Sequence, residues 1–401
     1  MRSDDPAPSS QPMHVLMLSD VYFPRVNGVS TSIRTFAKVL LKLGHRVTLV
    51  APDYGSSSGQ GAFDAELGAG FEVIRLDART IFFDPEDRLI TSRALRRCLA
   101  LLSDLKWDVV HVHTPFRAHQ LGVRLKRVRG LRVVETYHTY FEEYAAHYLP
   151  WLPAGILKYV ARAASRKLCG DVDHLIVPTD EMADVLRAYG ISTPSTVLPT
   201  GVDLGEFSGG DGAAFRRVHG IGLDRPVLVT VSRLAIEKNI EFLLRAVRLL
   251  VSEFPDLLFL IAGEGPDAAR LKSLATTLGL ERSTRFFGNL DRRSALLDCY
   301  RAATVFVFAS PTETQGLVLI EAMALGVPVV STAVMGTATV LRGTRSAVTS
   351  EPDVKRFAEH VASVLRQPHL RTALSEAGPA DARRWDASVL TQRALDVYVA
   401  S

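Results

Sequence analysis

The chain has 401 residues, 47% of them apolar and 22% charged, which predicts two domains with sizeable cores and excludes disorder. Its net charge of +4 is too small for a dedicated nucleic-acid binder. Three scattered cysteines (Cys98, Cys169 and Cys299) exclude a disulfide scaffold or zinc ribbon and favour a reducing cytoplasm.

Residues 1–12 are polar and Pro/Ser-rich, lack the apolar run of a signal peptide, and are expected to form a loose tail. His14-Val-Leu-Met-Leu-Ser19 then opens a first series with a buried parallel-type strand. A turn containing Pro24, Asn27 and Gly28 leads into a helical pattern over 30–43, ended by Gly44. Further strands are predicted at 46–51, 108–113, 132–136 and 174–178 with helices between them, the alternation of a doubly wound parallel sheet. Ser208-Gly-Gly-Asp-Gly212 marks a junction. A second series starts with Pro226-Val-Leu-Val-Thr-Val-Ser232 and a helix near 239–254, and continues with strands at 257–262, 284–287, 305–309 and 327–331. Residues 316–336 carry one charge, Glu321, but Gly326 and Pro328 divide them, so they read as a buried helix and a strand, not a bilayer span. The last segment, 381–401, is predicted helical and carries Trp385. The expected partition is a tail (1–12), an N-terminal domain (13–205) with a crossover helix (382–401), and a C-terminal domain (206–381). Two such domains are expected to face each other across a cleft at their C-terminal strand edges, where open α/β folds take ligands.

The sharpest motif is Glu313-Thr-Gln-Gly-Leu-Val-Leu-Ile-Glu321, placed where a strand gives way to a helix. Eight residues make about 2.2 helical turns, so both carboxylates fall on roughly one face. Backbone N–H groups around Gln315, Gly316 and Leu317 would offer an anion site. A solvated surface pair is the blander reading, and it fails for Glu321 in its apolar helix. Next comes Ser232-Arg-Leu-Ala-Ile-Glu-Lys238-Asn239 after the first strand of the second series. Arg233 can fork onto two oxygens while Lys238 acts as a point charge, a pairing suited to a diphosphate; two surface cations are the alternative. Gly263-Glu-Gly-Pro-Asp-Ala268 matches G-x-G-x-x-A, yet it follows a later strand and contains a helix-start proline, so a nucleotide-side turn fits better than a dinucleotide fingerprint.

Tyr137-His138-Thr139-Tyr140 closes a strand of the first series and so faces the expected cleft, with a structural histidine as the alternative. His111 and His113 share a strand face but show no third ligand, and Asp171-Val-Asp173 leads into a strand instead of leaving one. No metal site is expected. HExxH, GxSxG and GxxxxGK[ST] are absent, which excludes zincins, α/β-hydrolases and P-loop enzymes. Residues 117–167 carry a net +7, and Lys158, Arg162 and Arg166 recur every four residues beside Trp151, Leu152, Ile156, Leu157, Tyr159 and Val160. This pattern reads as a surface for anionic lipid headgroups or as a solvated basic helix packed on the core; nucleic acid is the weaker reading, for want of a binding motif.

Together, from Ser19-Asp-Val-Tyr-Phe-Pro24 and Asn27-Gly28-Val29 to Trp385, the chain resembles the retaining family-4 nucleotide-sugar glycosyltransferases of the GT-B fold. The resemblance implies that Arg233 and Lys238 hold the donor diphosphate, Glu321 the ribose hydroxyls and Glu313 the transferred sugar. It implies that Gly28 lets the first loop approach the phosphates and that His138 contacts the sugar near the anomeric carbon. The nucleobase is implied near Gly263, Asn289 and Leu290. No metal or cofactor is implied, and the mechanism is front-face attack assisted by the departing phosphate. Glu313-Thr-Gln-Gly-Leu317 and Tyr137-His-Thr-Tyr-Phe-Glu-Glu-Tyr144 look most like members acting on diacylglycerol or related membrane lipids. The expected partners are therefore a nucleotide-sugar donor, UDP-glucose favoured, a lipid or glycan acceptor hydroxyl, with Tyr137 on the acceptor side, and the inner face of the cytoplasmic membrane. Thr200-Gly-Val-Asp203 and Met335-Gly-Thr-Ala-Thr-Val340 depart from the patterns of many relatives. A mannosyl- or polysaccharide-type transferase with a polar acceptor shares every donor motif. A dinucleotide oxidoreductase and a non-catalytic nucleotide-sugar binder are the remote alternatives.

Overall fold

The computed structural model describes residues 11–81, 84–138, 154–292 and 294–399. They form two compact units: residues to Gly201 together with those from Ala387, and Val202–Asp386. Both are Rossmann-like parallel α/β units, as the alternating pattern predicts.

In the first unit the strands are β1 (His14–Leu18), β2 (Arg46–Pro52), β3 (Phe71–Leu76), β4 (Ala78–Ile81), β5 (Asp84–Ile90), β6 (Val109–Val112), β7 (Val133–Thr136), β8 (His174–Val177) and β9 (Ser195–Val197). Seven of them form a parallel sheet in the order β3-β2-β1-β6-β7-β8-β9, and β4 and β5 pair as an antiparallel ribbon. Val15 to Leu18 are fully buried because helices cover both faces of a parallel sheet, which is why β1 reads as an unbroken apolar run. The helix Gly28–Lys42 begins where the Asn27 side chain accepts the Ser30 N–H at 2.8 Å. It buries Ile33, Phe36, Ala37 and Leu40 on the sheet, each contributing about 1.5–3 kcal/mol for the larger side chains. Asp20, just after β1, caps the helix Arg117–Arg129 from a distance: its carboxylate accepts the N–H groups of Arg117 (3.0 Å) and Ala118 (3.1 Å).

The helical tail is interrupted. One helix ends at Ala382, a short turn spans Arg383–Trp385, and Asp386 is extended before the helix Ala387–Val399. That last helix belongs to the first unit, where the Tyr398 hydroxyl meets His111 Nδ1 at 2.7 Å and Arg132 donates to the Val397 carbonyl.

The second unit holds β10 (Val227–Val231), β11 (Leu258–Ala262), β12 (Thr284–Gly288), β13 (Val305–Phe308), β14 (Val329–Thr332) and β15 (Ala347–Ser350). Their parallel order is β12-β11-β10-β13-β14-β15, so β10 pairs with β11 on one side and β13 on the other. The connections reverse direction between β10 and β13, the topological switch point at which loops on neighbouring strands diverge and leave a crevice. Leu243, Leu250, Phe259, Ile261, Val307 and Phe357 lie in one continuous buried cluster beneath it.

Candidate active site

The loops after β10 and β13 carry the two sharpest motifs and are stitched together at the switch point. Ser310 Oγ donates to the Glu237 carbonyl at 2.9 Å, and Asn239 Nδ2 to the Ala309 carbonyl at 3.2 Å. Asn239 adopts a left-handed backbone (φ 54°), which ends the turn Ile236–Lys238 and starts the helix Ile240–Leu250. This local folding brings Lys238 Nζ within 2.6 Å of Glu313 Oε2, although 75 residues separate them. Burial pushes the Lys238 ammonium towards deprotonation, but the Glu313 carboxylate outweighs burial and raises its pKa above the usual lysine range. Arg233 stands on the same loop with a guanidinium nitrogen 4.0 Å from Glu237.

Beyond Glu313, Gln315 is buried and Gly316 takes φ 85° immediately before the helix Leu317–Ala324. The helix contains a single charge, Glu321, which is 2% exposed. Its carboxylate is held at both oxygens: Arg292 Nη2 donates to Oε1 at 2.5 Å, and the Tyr300 hydroxyl to Oε2 at 2.8 Å. The Met335-Gly336 segment lies under this loop. The Gly336 N–H donates to the Glu313 carbonyl at 2.9 Å, and a Cβ on Gly336 would fall 2.1 Å from the Thr314 oxygen.

The loop after β11 closes the other flank. Gly263 has φ 130°, and a Cβ there would lie 1.9 Å from the Ser232 carbonyl oxygen; at Gly265 it would lie 2.3 Å from the Leu234 oxygen. Both glycines therefore let this turn press against the loop that bears Arg233, which accounts for the G-x-G pattern by packing. Asn289 Nδ2 reaches Glu264 Oε2 at 3.3 Å, and Leu290 follows it. The second unit thus brings Arg233, Lys238, Gly263, Glu313, Gln315, Gly316, Leu317 and Glu321 to the loops at one sheet edge, with Asn289 and Leu290 on the flank.

In the first unit, Gly28 starts its helix with nothing within 4 Å of where a Cβ would be. Neither packing nor backbone geometry requires a glycine there. His138 follows β7, with Nε2 3.4 Å from His113 Nδ1; burial pushes its pKa down to about 4, so the ring is neutral at pH 7. His111 has both nitrogens engaged, one by Tyr398 and one by Thr136 Oγ1 at 2.7 Å. Among the described residues no group of three or more His, Cys, Asp or Glu side chains could hold a metal. Asp171 and Asp173 act structurally: Lys126 Nζ reaches Asp173 Oδ1 at 2.8 Å, and the Val133 N–H donates to Asp173 Oδ2 at 2.8 Å. Asp171 lies 3.7 Å from His119.

Tyr137 is buried, its hydroxyl 3.3 Å from Ser165 Oγ on the helix Ala154–Asp171. Lys158, Arg162 and Arg166 are exposed on that helix, as are Tyr159 and Val160, and the Arg162 guanidinium lies 5.3 Å from the Tyr189 ring. Residues 139–144 of the motif, Trp151 and Leu152 lie outside the described residues. No helix among the described residues is long and apolar enough to cross a membrane. Sequence reasoning quoted Asn239 and Gly336 within motifs without giving either a role, and it missed Arg292 and Tyr300; these partners of Glu321 carry no local signal.

These loops stand at the switch point of a Rossmann-like α/β unit, and comparison with known proteins specifies the class. Residues 26–206 match the model described as Glycosyltransferase Family 4 and residues 211–381 match Glycosyl transferases group 1. The chain belongs to this GT-B glycosyltransferase family. It is 31% identical over 327 residues to an alpha-monoglucosyldiacylglycerol synthase of Streptococcus pneumoniae, covering 80% of this chain and 71% of that one. It is also 31% identical to a D-inositol 3-phosphate glycosyltransferase of Kribbella flavida, covering 77% and 74%. In fold it matches Anabaena HepE, solved with UDP and glucose, at a TM-score of 0.76 and 16% identity over 96% of this chain and 99% of that one.

Proposed function

We propose that the protein is a retaining hexosyltransferase that moves a hexose, from UDP-glucose first among nucleotide-sugar donors, to a hydroxyl of a membrane lipid such as diacylglycerol. One observation carries the donor reading: at the switch point of the second sheet Lys238, from the cationic pair after β10, meets Glu313, from the carboxylate pair after β13. In this reading the second unit binds donor. Arg233 and Lys238 take the diphosphate, N–H groups around Gln315 to Leu317 add to them, Glu313 positions the sugar, and Glu321 takes the ribose. The base sits by Gly263, Asn289 and Leu290. Gly28 and His138 of the first unit are assigned to phosphate approach and to the sugar.

Breaking the anomeric bond builds charge on the leaving diphosphate. Fixed cations already aimed at those oxygens stabilise the transition state more than the ground state, and one such contact is typically worth about 2.7–4 kcal/mol. With no nucleophile assigned, retention follows from front-face attack, the departing phosphate taking the acceptor proton.

The likeness to a glucosyldiacylglycerol synthase supports a lipid acceptor. A second reading, transfer to a polar acceptor, has its support in the likeness to a D-inositol 3-phosphate glycosyltransferase. A screen of UDP- and GDP-sugars against diacylglycerol vesicles and soluble polyols separates them. Turnover with a vesicle acceptor is expected, and turnover confined to soluble acceptors would overturn the lipid reading. Lys238→Ala is expected to abolish transfer while leaving the circular dichroism unchanged; an active variant would refute the phosphate assignment. The basic face of Lys158, Arg162 and Arg166, with exposed Tyr159 and Val160, is proposed to meet anionic headgroups. Co-sedimentation with phosphatidylglycerol vesicles should weaken as salt rises, and equal binding to neutral vesicles would dismiss that role.

A further inference from the structure

Glu321 is buried in a helix whose seven other residues are all apolar, Leu317-Val-Leu-Ile-Glu-Ala-Met-Ala324. An ionised carboxylate at such a place is tolerated only when its oxygens are hydrogen-bonded. Here each oxygen has a different donor from the stretch after β12. Arg292 holds Oε1 at 2.5 Å from the turn, and Tyr300 holds Oε2 at 2.8 Å from the helix Ala295–Arg301. Tyr300 is fully buried, and burial together with the neighbouring Glu321 charge keeps its phenol protonated, so its O–H is the donor. The Arg292 guanidinium lies 5.8 Å from the Phe207 ring, which steadies its fork.

A carboxylate offers about four lone-pair directions over its two oxygens. The two donors occupy one on each oxygen and fix the plane of the group. That leaves room for one more hydrogen bond at each oxygen, matching in number the two donors of a vicinal diol. We propose that Arg292 and Tyr300 are positioning residues that lock Glu321 for two-point capture of the ribose diol, and so set a preference for ribonucleotides over 2′-deoxyribonucleotides. This rests on reading Glu321 as the ribose ligand.

The test titrates wild type, Tyr300→Phe, Arg292→Gln, Arg292→Lys and Glu321→Gln calorimetrically with UDP and 2′-deoxy-UDP, and with GDP and 2′-deoxy-GDP, scored on the base that binds more tightly. Loss of one hydrogen bond to a charged group is worth about tenfold, so wild type should prefer the ribo form by about that factor. In Tyr300→Phe and Arg292→Gln the preference should shrink to about threefold or less, with Arg292→Lys intermediate. A merely structural role would weaken both nucleotides together and leave the ratio untouched. The proposal falls if Tyr300→Phe and Arg292→Gln both keep the wild-type ratio. If Glu321→Gln erases the ratio while those two keep it, the ribose reading survives and only the positioning role is lost; if Glu321→Gln also keeps it, the ribose reading fails as well. Tyr300→Phe retains the ring packed 5.4 Å from Phe306, so it decides the matter should Arg292→Gln not fold.

Discussion

Lys238 meets any incoming anion with a partner already in place, because Glu313 occupies it at 2.6 Å. A diphosphate must displace that carboxylate or share the ammonium with it. On the proposed donor reading Glu313 competes with the diphosphate for Lys238, and removing its charge should have opposite effects on binding and on turnover. Glu313→Gln is expected to bind free UDP or GDP several-fold more tightly by calorimetry, while transfer falls by about 10²–10³ through loss of sugar positioning. Unchanged nucleotide affinity would show that the pair does not compete. Gly28 gives the complementary case. The space around its Cβ direction is open, and alanine at a compatible glycine position typically adds about 0.4–1 kcal/mol through the unfolded chain. Gly28→Ala is thus expected to melt no lower than wild type yet raise the donor KM. A lowered melting temperature would assign the glycine to the fold instead.

At the scale of elements, sequence and structure agree where burial is two-sided and diverge at edges. Strands β1, β10, β11 and β13 are apolar but for His14 and Thr230 because helices cover both faces, and their runs are legible. β3, β9 and β15 escape such reading. They are three of the four outer strands, half exposed, with Glu72 and Arg75 or Ser and Thr breaking the apolar pattern, whereas the fourth, β12, is legible through Phe286 and Phe287. In the ribbon, β4 has no buried residue. The site divides in the same way. Arg233, Lys238, Glu313 and Glu321 are legible because each sits at a fixed offset from a legible strand, whereas Arg292 reaches Glu321 across 29 residues and Tyr300 across 21, contacts that only the fold creates. The turn at Gly263 joins two of these strands: Gly263→Ala would drive a methyl into the Ser232 carbonyl at φ 130°. A loss of about 3 kcal/mol or more in urea unfolding is expected; a variant as stable as wild type would refute the close approach.

For the whole molecule, the neighbouring rings of His111, His113 and His138 in the first unit link stability to pH. Burial lowers all three pKa values, to about 3 for His111 and about 4 for His138, and His113 has Nε2 buried with no hydrogen-bond partner among the described residues. Each is neutral when folded and titrates near 6.5 when unfolded. Its stabilising share is therefore present above pH 6.5 and lost as pH falls towards the folded value. Asp20, Glu135 and His119 run the other way: burial raises the first two, and His119 is raised because Glu135 and Asp171 outweigh burial. The histidine contribution is accordingly read as a difference. Between pH 7 and pH 5, wild type should lose about 2 kcal/mol more stability than His113→Gln, and equal losses would refute a neutral buried His113. Chain connectivity carries a last consequence. Val202 donates its N–H to the Trp385 carbonyl at 2.8 Å, and Gly201 lies so near Ala387 that a Cβ would approach its Cα to 2.2 Å. Both crossings between the units occur at one spot, so the second is an insertion hung from adjoining termini. Cutting there and bridging Gly201 to Ala387 with a few residues should yield two independently expressible polypeptides. On the proposed donor reading the excised 202–386 piece alone should still recognise a nucleoside diphosphate, and loss of UDP and GDP binding by calorimetry would refute that independence.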